Sequence, residues 1–344
     1  MKCPVFGPVT PPMEPIRRAV IDVGTNSVKL LVADVAGQEI QPVREQSKQT
    51  RLGHGLYQTH RLKPEAIAAT ATAVAGFAAL AREAQAVSIR VIATSAAREA
   101  ANREELTTAI ENAAGLKVEV ISGEQEAELG FQGVTTDPRL AQVPLLLVDV
   151  GGGSTQFMLG RGGHKHFRQS FPVGSVRLLE TIPCGDPPSP AELTACRQWL
   201  KEILQKEVRP RLAQETGLDQ GLGTSATTGS RGGVQLVGVG GTATILACME
   251  AKLETFDRER IEAARLSAAR VFWHVERLWS LPLEERKKII GLPGNRADVI
   301  LMGVAIYQAV MEEFGLRELR VSTRGLRFAA VMGSEFTSSR SRSS

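Results

Sequence analysis

Leu147-Val148-Asp149-Val150-Gly151-Gly152-Gly153-Ser154 is an apolar run that ends in a carboxylate, a glycine triplet and a hydroxyl. It has an earlier counterpart in Val20-Ile21-Asp22-Val23-Gly24-Thr25-Asn26-Ser27. Superposing Asp22 on Asp149 also pairs Val23 with Val150, Gly24 with Gly151 and Ser27 with Ser154, an offset of 127 residues. Each copy continues into a second apolar stretch, through Val32 in the first and Leu159 in the second. The pattern reads as a buried strand, an Asp at its end, a glycine turn and a returning strand. Two such hairpins in a chain of 344 residues predict a duplicated unit and two lobes.

Glycines let backbone approach an anion closely, and successive turn amides form a concave phosphate nest. The candidate nests are Gly24, Asn26 and Ser27 in the first copy and Gly151, Gly152, Gly153 and Ser154 in the second. An Asp beside such a nest repels a bare phosphate, so it makes chemical sense when a cation lies between them. Asp149 and Asp22 are therefore candidate magnesium carboxylates. The alternative is that each merely braces its turn. A third glycine turn, Gly238-Val239-Gly240-Gly241-Thr242, leads into helix-like sequence and puts Gly240, Gly241 and Thr242 where a helix N-terminus would offer amides to an anion.

Around these loops the chain alternates strands and helices, which argues for an α/β class. Hairpin strands are expected over 17–50, a helix from Pro64 to about Gln85, a strand over 88–94, and a helix capped by Asn102 and Glu105 that ends at Gly115. A strand over 117–121 enters a helix at Ser122. The second half starts with a strand over 144–150, and Ser189-Pro190-Ala191-Glu192 announces a helix. Helical periodicity is read over 258–280, 283–290 and 297–314, and a strand over 319–323 precedes a last helix. The expected organisation is a disordered extension over 1–15, a first lobe over 16–135, a second over 136–333 and a disordered Ser/Arg-rich tail over 334–344. Gly221 to Gly233 reads as a flexible excursion.

Composition narrows the class only modestly. Hydrophobic residues make up 43% and charged residues 23%, as in folded domains. No run of about 18 apolar residues and no secretory signal is read, and the four scattered cysteines suit a reducing, cytoplasmic compartment. The net charge of +4 favours an anionic ligand weakly. No nucleic-acid-binding motif is seen, and no membrane partner is expected.

The ordered set of motifs resembles the exopolyphosphatase / guanosine pentaphosphate phosphohydrolase (Ppx/GppA) family, a branch of the actin, Hsp70 and sugar-kinase superfamily. The set comprises Ile21 to Ser27, Arg51-Leu52-Gly53, Ala93 to Arg98, Ile121-Ser122-Gly123 with Glu126-Ala127, Asp149 to Ser154, Gly174 to Arg177, Gly238 to Thr242, Arg296-Ala297-Asp298, and Ser322 with Gly325-Leu326-Arg327. The resemblance implies two actin-like (ribonuclease H-like) lobes flanking an interdomain cleft, and magnesium-dependent removal of terminal phosphate from polyphosphate or guanosine pentaphosphate. A homodimer is implied by resemblance alone.

Ser122 and Gln125 have the spacing of a capping box, which sets Glu126 in the first turn of its helix. A helix N-terminus favours an ionised carboxylate, as a general base requires. Acidic residues are common in first turns whatever their role, and it is the resemblance that assigns Glu126 as the base. Arg98 resembles the family arginine that contacts phosphate; read alone, an Arg at such a loop is more often a solvated salt-bridge partner. Arg51 and Arg177 are further candidates for a phosphate track. The resemblance also exposes a departure. Family members usually follow the glycine loop with Ser-Thr-Glu, and this chain has Ser154-Thr155-Gln156, which removes a charged metal contact. His164 and His166 read as an exposed hairpin, and Trp199, Trp273 and Trp279 as core or interlobe packing. The rival readings are a phosphotransferase of the same superfamily and a non-catalytic sensor of polyphosphate or guanosine polyphosphates.

Overall fold

The computed structural model describes residues 14–162, 164–216 and 233–333. The extension up to Met13, nearly all of the 221–233 segment and the Ser/Arg-rich tail lie outside the described residues. The first half contains β1 (Ile16–Val23), β2 (Ser27–Ala36), β3 (Glu39–Gln49), α1 (Leu56–Thr59), α2 (Pro64–Glu83), β4 (Ser88–Ala93), α3 (Ser95–Glu99), α4 (Arg103–Ala114), β5 (Val118–Val120) and α5 (Gly123–Val134). The second contains β6 (Leu145–Val150), β7 (Thr155–Arg161), β8 (His164–Phe171), α6 (Ser175–Thr181), α7 (Pro190–Ile203), α8 (Arg209–Thr216), β9 (Gln235–Val239) and α9 (Gly240–Ala251). It continues through α10 (Arg258–Ala263), β10 (Arg265–Ser267), α11 (Ala268–Ser280), α12 (Leu283–Arg286), α13 (Ile300–Glu313), β11 (Glu318–Val321) and α14 (Leu326–Ala330). One π-helical turn, Leu204–Val208, joins α7 to α8.

The sequence repeat is a repeat of topology. The first sheet runs β3-β2-β1-β4-β5 and the second β10-β11-β9-β6-β7-β8. In each, two antiparallel hairpins open the unit and two parallel strands follow, so β1 corresponds to β6 and β4 to β9; the second sheet adds β10, antiparallel to β11, at its edge. Even the irregularity recurs: the register slips between Val32 and Ala33 in β2, and between Leu159 and Gly160 in β7. Those sites are 127 residues apart, the same offset as the motifs. β6 is buried along nearly its whole length because helices or partner elements cover both faces of its sheet.

Alternation along β1 and β2 splits the first lobe into two cores. Ala19, Ile21, Leu30 and Val32 pack under α2 and α4. Val20, Leu31, Ala33 and Val35 pack against Leu326, Phe328, Val331 and Met332, the last helix and its exit. In the second lobe, Leu146, Val148, Phe157 and Leu159 face α7, α11 and α13, whereas Leu145, Leu147 and Met158 face Ala127, Phe131 and Val134 of α5. Thus α14, which follows the last strand of the second sheet, covers the first, and α5, which follows the last strand of the first, covers the second. The two helices form the layer between the lobes. They approach so closely that a methyl on Gly133 would collide with the Gly325 carbonyl.

Several local expectations need correction. Asn102 does not cap α4 through its side chain; its Oδ1 accepts from Leu62 N at 2.8 Å and its Nδ2 donates to Leu62 O, tying α4 to the preceding loop. The segment 258–280 is not one helix. Leu266 is buried and pairs with Leu319 as a short edge strand, and Ser267 then caps α11. The helix read over 283–290 stops at Arg286. Trp279 is core and Trp199 packs at its edge, but Trp273 is exposed between the guanidinium groups of Arg270 and Arg277. The 20-residue α2 is apolar enough by length and composition to pass for a membrane span, yet its Ile67, Val74, Phe77 and Ala81 lie in the first-lobe core.

Candidate active site

Both glycine turns adopt the same closure. Gly24 N donates to Ser27 O at 3.1 Å, and Gly151 N donates to Ser154 O at 3.0 Å. A Cβ on Gly151 would stand 2.8 Å from that oxygen, which accounts for the glycine. The two loops meet at the bottom of the cleft, where Gly153 fits among the hydroxyls of Tyr57, Ser95 and Thr25 without room for a side chain.

A narrow polar pocket of about 80 Å³ gathers Gly24, Asn26, Ser27, Gly151, Gly152, Gly153, Ser154, Gly241, Asp22, Asp149 and Glu126 in one place. Gly240 borders the adjoining chamber and takes φ +80°, and a Cβ there would stand 2.3 Å from Asp149 Oδ1. Gly240, Gly241 and Thr242 form the first turn of α9 rather than a loop ahead of it. Thr242 does not line the pocket; its hydroxyl donates to Val150 O at 3.1 Å.

Glu126 is held at the start of α5 by the box that its sequence announces. Ser122 Oγ accepts from Gln125 N at 3.1 Å, and Gln125 Oε1 accepts from Ser122 N at 2.9 Å. Arg98, on α3, donates through Nη1 to Glu126 Oε2 at 3.0 Å and to Ile121 O at 2.9 Å. Arg98 therefore reaches the site through Glu126 and is not among the pocket walls. The helix N-terminus does not set the protonation of Glu126. Burial pushes its carboxyl up to about 7; Arg98 pulls it down, and Asp149 adds a smaller upward push.

Burial likewise lifts Asp149 to about 6, with Lys29 opposing and Asp22 reinforcing the rise, and burial lifts Asp22. Neither Asp makes a side-chain hydrogen bond or an ion pair within 4 Å among the described residues. Desolvated carboxylates that open onto a polar pocket without protein donors are suitable oxygen ligands for a hard divalent cation, the remaining positions being left to water and phosphate. The donor set thus fits such an ion, although no group of three or more acidic, His or Cys ligands occurs among the described residues.

Two cations in the pocket were missed as site residues. Lys29 pairs across the hairpin with Asp22 and lines both cavities, its ammonium pKa lowered by burial. Arg296 lines both as well; it too is lowered by burial, and its Nε has no partner. Neither makes an ion pair within 4 Å among the described residues. A signal for Lys29 was present: the 127-residue offset aligns it with Gln156, which pairs across its own hairpin with Asp149. Arg51 and Arg177 are not in the pocket. Arg51 bonds Asp298 at 2.8 Å, while Arg177 bonds Glu99, donates to Gly153 O at 2.7 Å and stacks 3.9 Å over Tyr57. Both hold the lobes together. His166 is exposed on β8, in the hairpin with β7.

Beyond Lys29 and Arg296 the cleft widens into a chamber of about 660 Å³ whose walls include Ile245, Leu253, Phe256, Leu292 and Pro293.

Comparison with known proteins adds an independent observation: residues 31–335 match the family model described as the Ppx/GppA phosphatase family. The chain belongs to that family. It is 34% identical over 322 residues to exopolyphosphatase 2 of Mycobacterium tuberculosis, covering 89% of this chain and 94% of the relative. The crystal structure of the Aquifex aeolicus Ppx/GppA member superposes with a TM-score of 0.74 at 28% identity, covering 94% of this chain and 99% of that one. An exopolyphosphatase from Cytophaga hutchinsonii gives 0.77 at 26% identity, covering 91% and 96%. The fold is the two-lobed, actin-like α/β architecture, and the family makes the chain a phosphatase-type hydrolase.

Proposed function

We propose that the protein is a magnesium-dependent exopolyphosphatase that hydrolyses the terminal phosphate of inorganic polyphosphate, the 5′ γ-phosphate of guanosine pentaphosphate, or both. The observation that carries this reading is the position of Glu126, a partly buried carboxylate opening onto two glycine nests at one end of the cleft. Glu126 in its ionised form accepts a proton from water, and Arg98 fixes which carboxylate oxygen is free to do so. The nest amides, Lys29 and Arg296 offset charge on the phosphoryl oxygens before and during attack. Asp22 and Asp149 would hold magnesium, which supplies further charge neutralisation at the phosphate when bound.

The apolar chamber favours a second substrate alongside a bare chain. A linear polyphosphate has no use for Ile245, Leu253 and Phe256, whereas a guanosine attached to the phosphates would cover them. A phosphotransferase would need an acceptor, and a sensor would bind without turnover. Phosphate release from long-chain polyphosphate and from guanosine pentaphosphate, with and without magnesium, tests the proposal in the wild type and in Glu126→Gln. Metal-dependent release that is lost in the variant supports a hydrolase; binding of both substrates without release sinks it.

A further inference from the structure

Gln156 is 1% exposed, sits opposite Asp149 in the β6–β7 pair and borders the narrow pocket. Its Nε2 donates to Ser154 Oγ at 2.8 Å and to Ser170 Oγ at 3.0 Å, which uses both amide hydrogens. An amide NH₂ group can only donate, so Ser154 Oγ is the acceptor in that bond and its own proton must go elsewhere. Ser154 is buried at the pocket wall, and no described residue takes that proton. Ser170, the other partner, abuts the start of α5: a Cβ on Gly123 would run into it.

We propose that Gln156 is a positioning residue: it holds Ser154 as a hydrogen-bond donor aimed at a phosphoryl oxygen in the 151–154 nest, and links that nest through Ser170 to the helix bearing Glu126. The neutral amide matters in two ways. It fixes the direction of the Ser154 O–H, and it adds no fourth negative charge beside Asp22, Asp149 and Glu126. A carboxylate of the same size would take the Ser154 proton itself and turn hydroxyl lone pairs toward the pocket, an arrangement that attracts a cation instead of a phosphate oxygen.

This inference rests on the phosphate-chain reading of the site. The test is a double-mutant cycle in calorimetric binding of inorganic tripolyphosphate with magnesium, carried on the Glu126→Gln chain so that no turnover intervenes. That chain should bind tripolyphosphate; absence of binding would overturn the functional reading and this inference with it. Given binding, Ser154→Ala and Gln156→Leu should each weaken it about 10- to 100-fold, the range for one hydrogen bond to a charged oxygen. The pair combined should be no weaker than Ser154→Ala alone. Should leucine at 156 prevent folding, Gln156→Glu serves in the same cycle, because its added charge acts in both backgrounds and cancels. Equal losses from changing Gln156 with and without the Ser154 hydroxyl, or no loss at all, would refute the positioning role and leave the functional reading standing.

Discussion

Replacing Arg98 with Met keeps its aliphatic stem and deletes the cation 3.0 Å from Glu126 Oε2. Two unit charges about 4 Å apart at an effective dielectric of about 20 interact by roughly 4 kcal/mol, an upper bound here because the pair keeps some solvent. The side chains of Arg98 and Glu126 are 21% and 15% exposed, so screening removes part of the interaction and not all of it. With one pKa unit worth about 1.4 kcal/mol, a loss of roughly 1–2 units of cationic help is reasonable. The sign is fixed: Arg98 favours ionised Glu126, so its loss raises a carboxyl already near 7 to about 8–9. At pH 7 the ionised fraction then falls from about half to roughly 1–10%, a loss of about 5- to 50-fold in kcat/KM. The assay is phosphate release against pH from about 5.5 to 9.5. The acidic limb of the variant should move up by that interval, and much of the lost rate should return at the alkaline end. A uniform loss across pH, with the limb unmoved, would show that Arg98 acts on phosphate and not through Glu126.

Glu126→Gln should reduce turnover by about 100- to 10,000-fold. It should also stabilise the fold by roughly 1–3 kcal/mol above pH 7, and hardly at all near pH 4, in urea melts. A carboxyl raised by burial weakens the native state as pH climbs through its unfolded and then its folded pKa, and the amide escapes that penalty. Removing the Lys29 ammonium in Lys29→Met should tighten magnesium binding by about 10-fold and weaken tripolyphosphate binding by a similar factor, both read by calorimetry; parallel changes would contradict its charge interaction with Asp22 and Asp149. Gly153→Ala should destabilise by about 1–3 kcal/mol, because the new methyl meets Tyr57, Ser95 and Thr25, and Tyr57→Phe in the same chain should recover part of the melting temperature. Tyr307→Phe should cost about 1 kcal/mol, since its buried hydroxyl serves Val148 O at 3.0 Å and Val239 O at 3.2 Å, and an unchanged melt would discount that bond.

What sequence could convey here was local or repeated. The Asp-Gly hairpins follow from strand patterning and turn chemistry, and the capping boxes at Ser122 and Ser189 from three-residue spacing. Asn102 failed as a cap because Leu62, 40 residues earlier, competes for its side chain, and nothing in the 102–105 spacing encodes that. Leu266 broke a helical pattern because a strand edge was available to it. Lys29 was hidden in plain view: a lysine within an apolar strand reads as a solvated exception until its facing carboxylates are known. The pKa of Glu126 was misjudged because a helix terminus can be recognised in sequence, whereas the depth of the cleft that desolvates it cannot.

The exchange of α5 and α14 between sheets bears on how the protein is made. Arg18 bonds the carbonyl of Met332, 314 residues further on. Until that stretch leaves the ribosome, the face formed by Val20, Leu31, Val35 and Ile92 lacks Leu326, Phe328 and Val331 to cover it. The N-terminal lobe is therefore synthesised first but finished last. Until then it offers an apolar surface to which holdase chaperones would bind, and sequence errors in 326–332 would damage a lobe encoded far upstream of them.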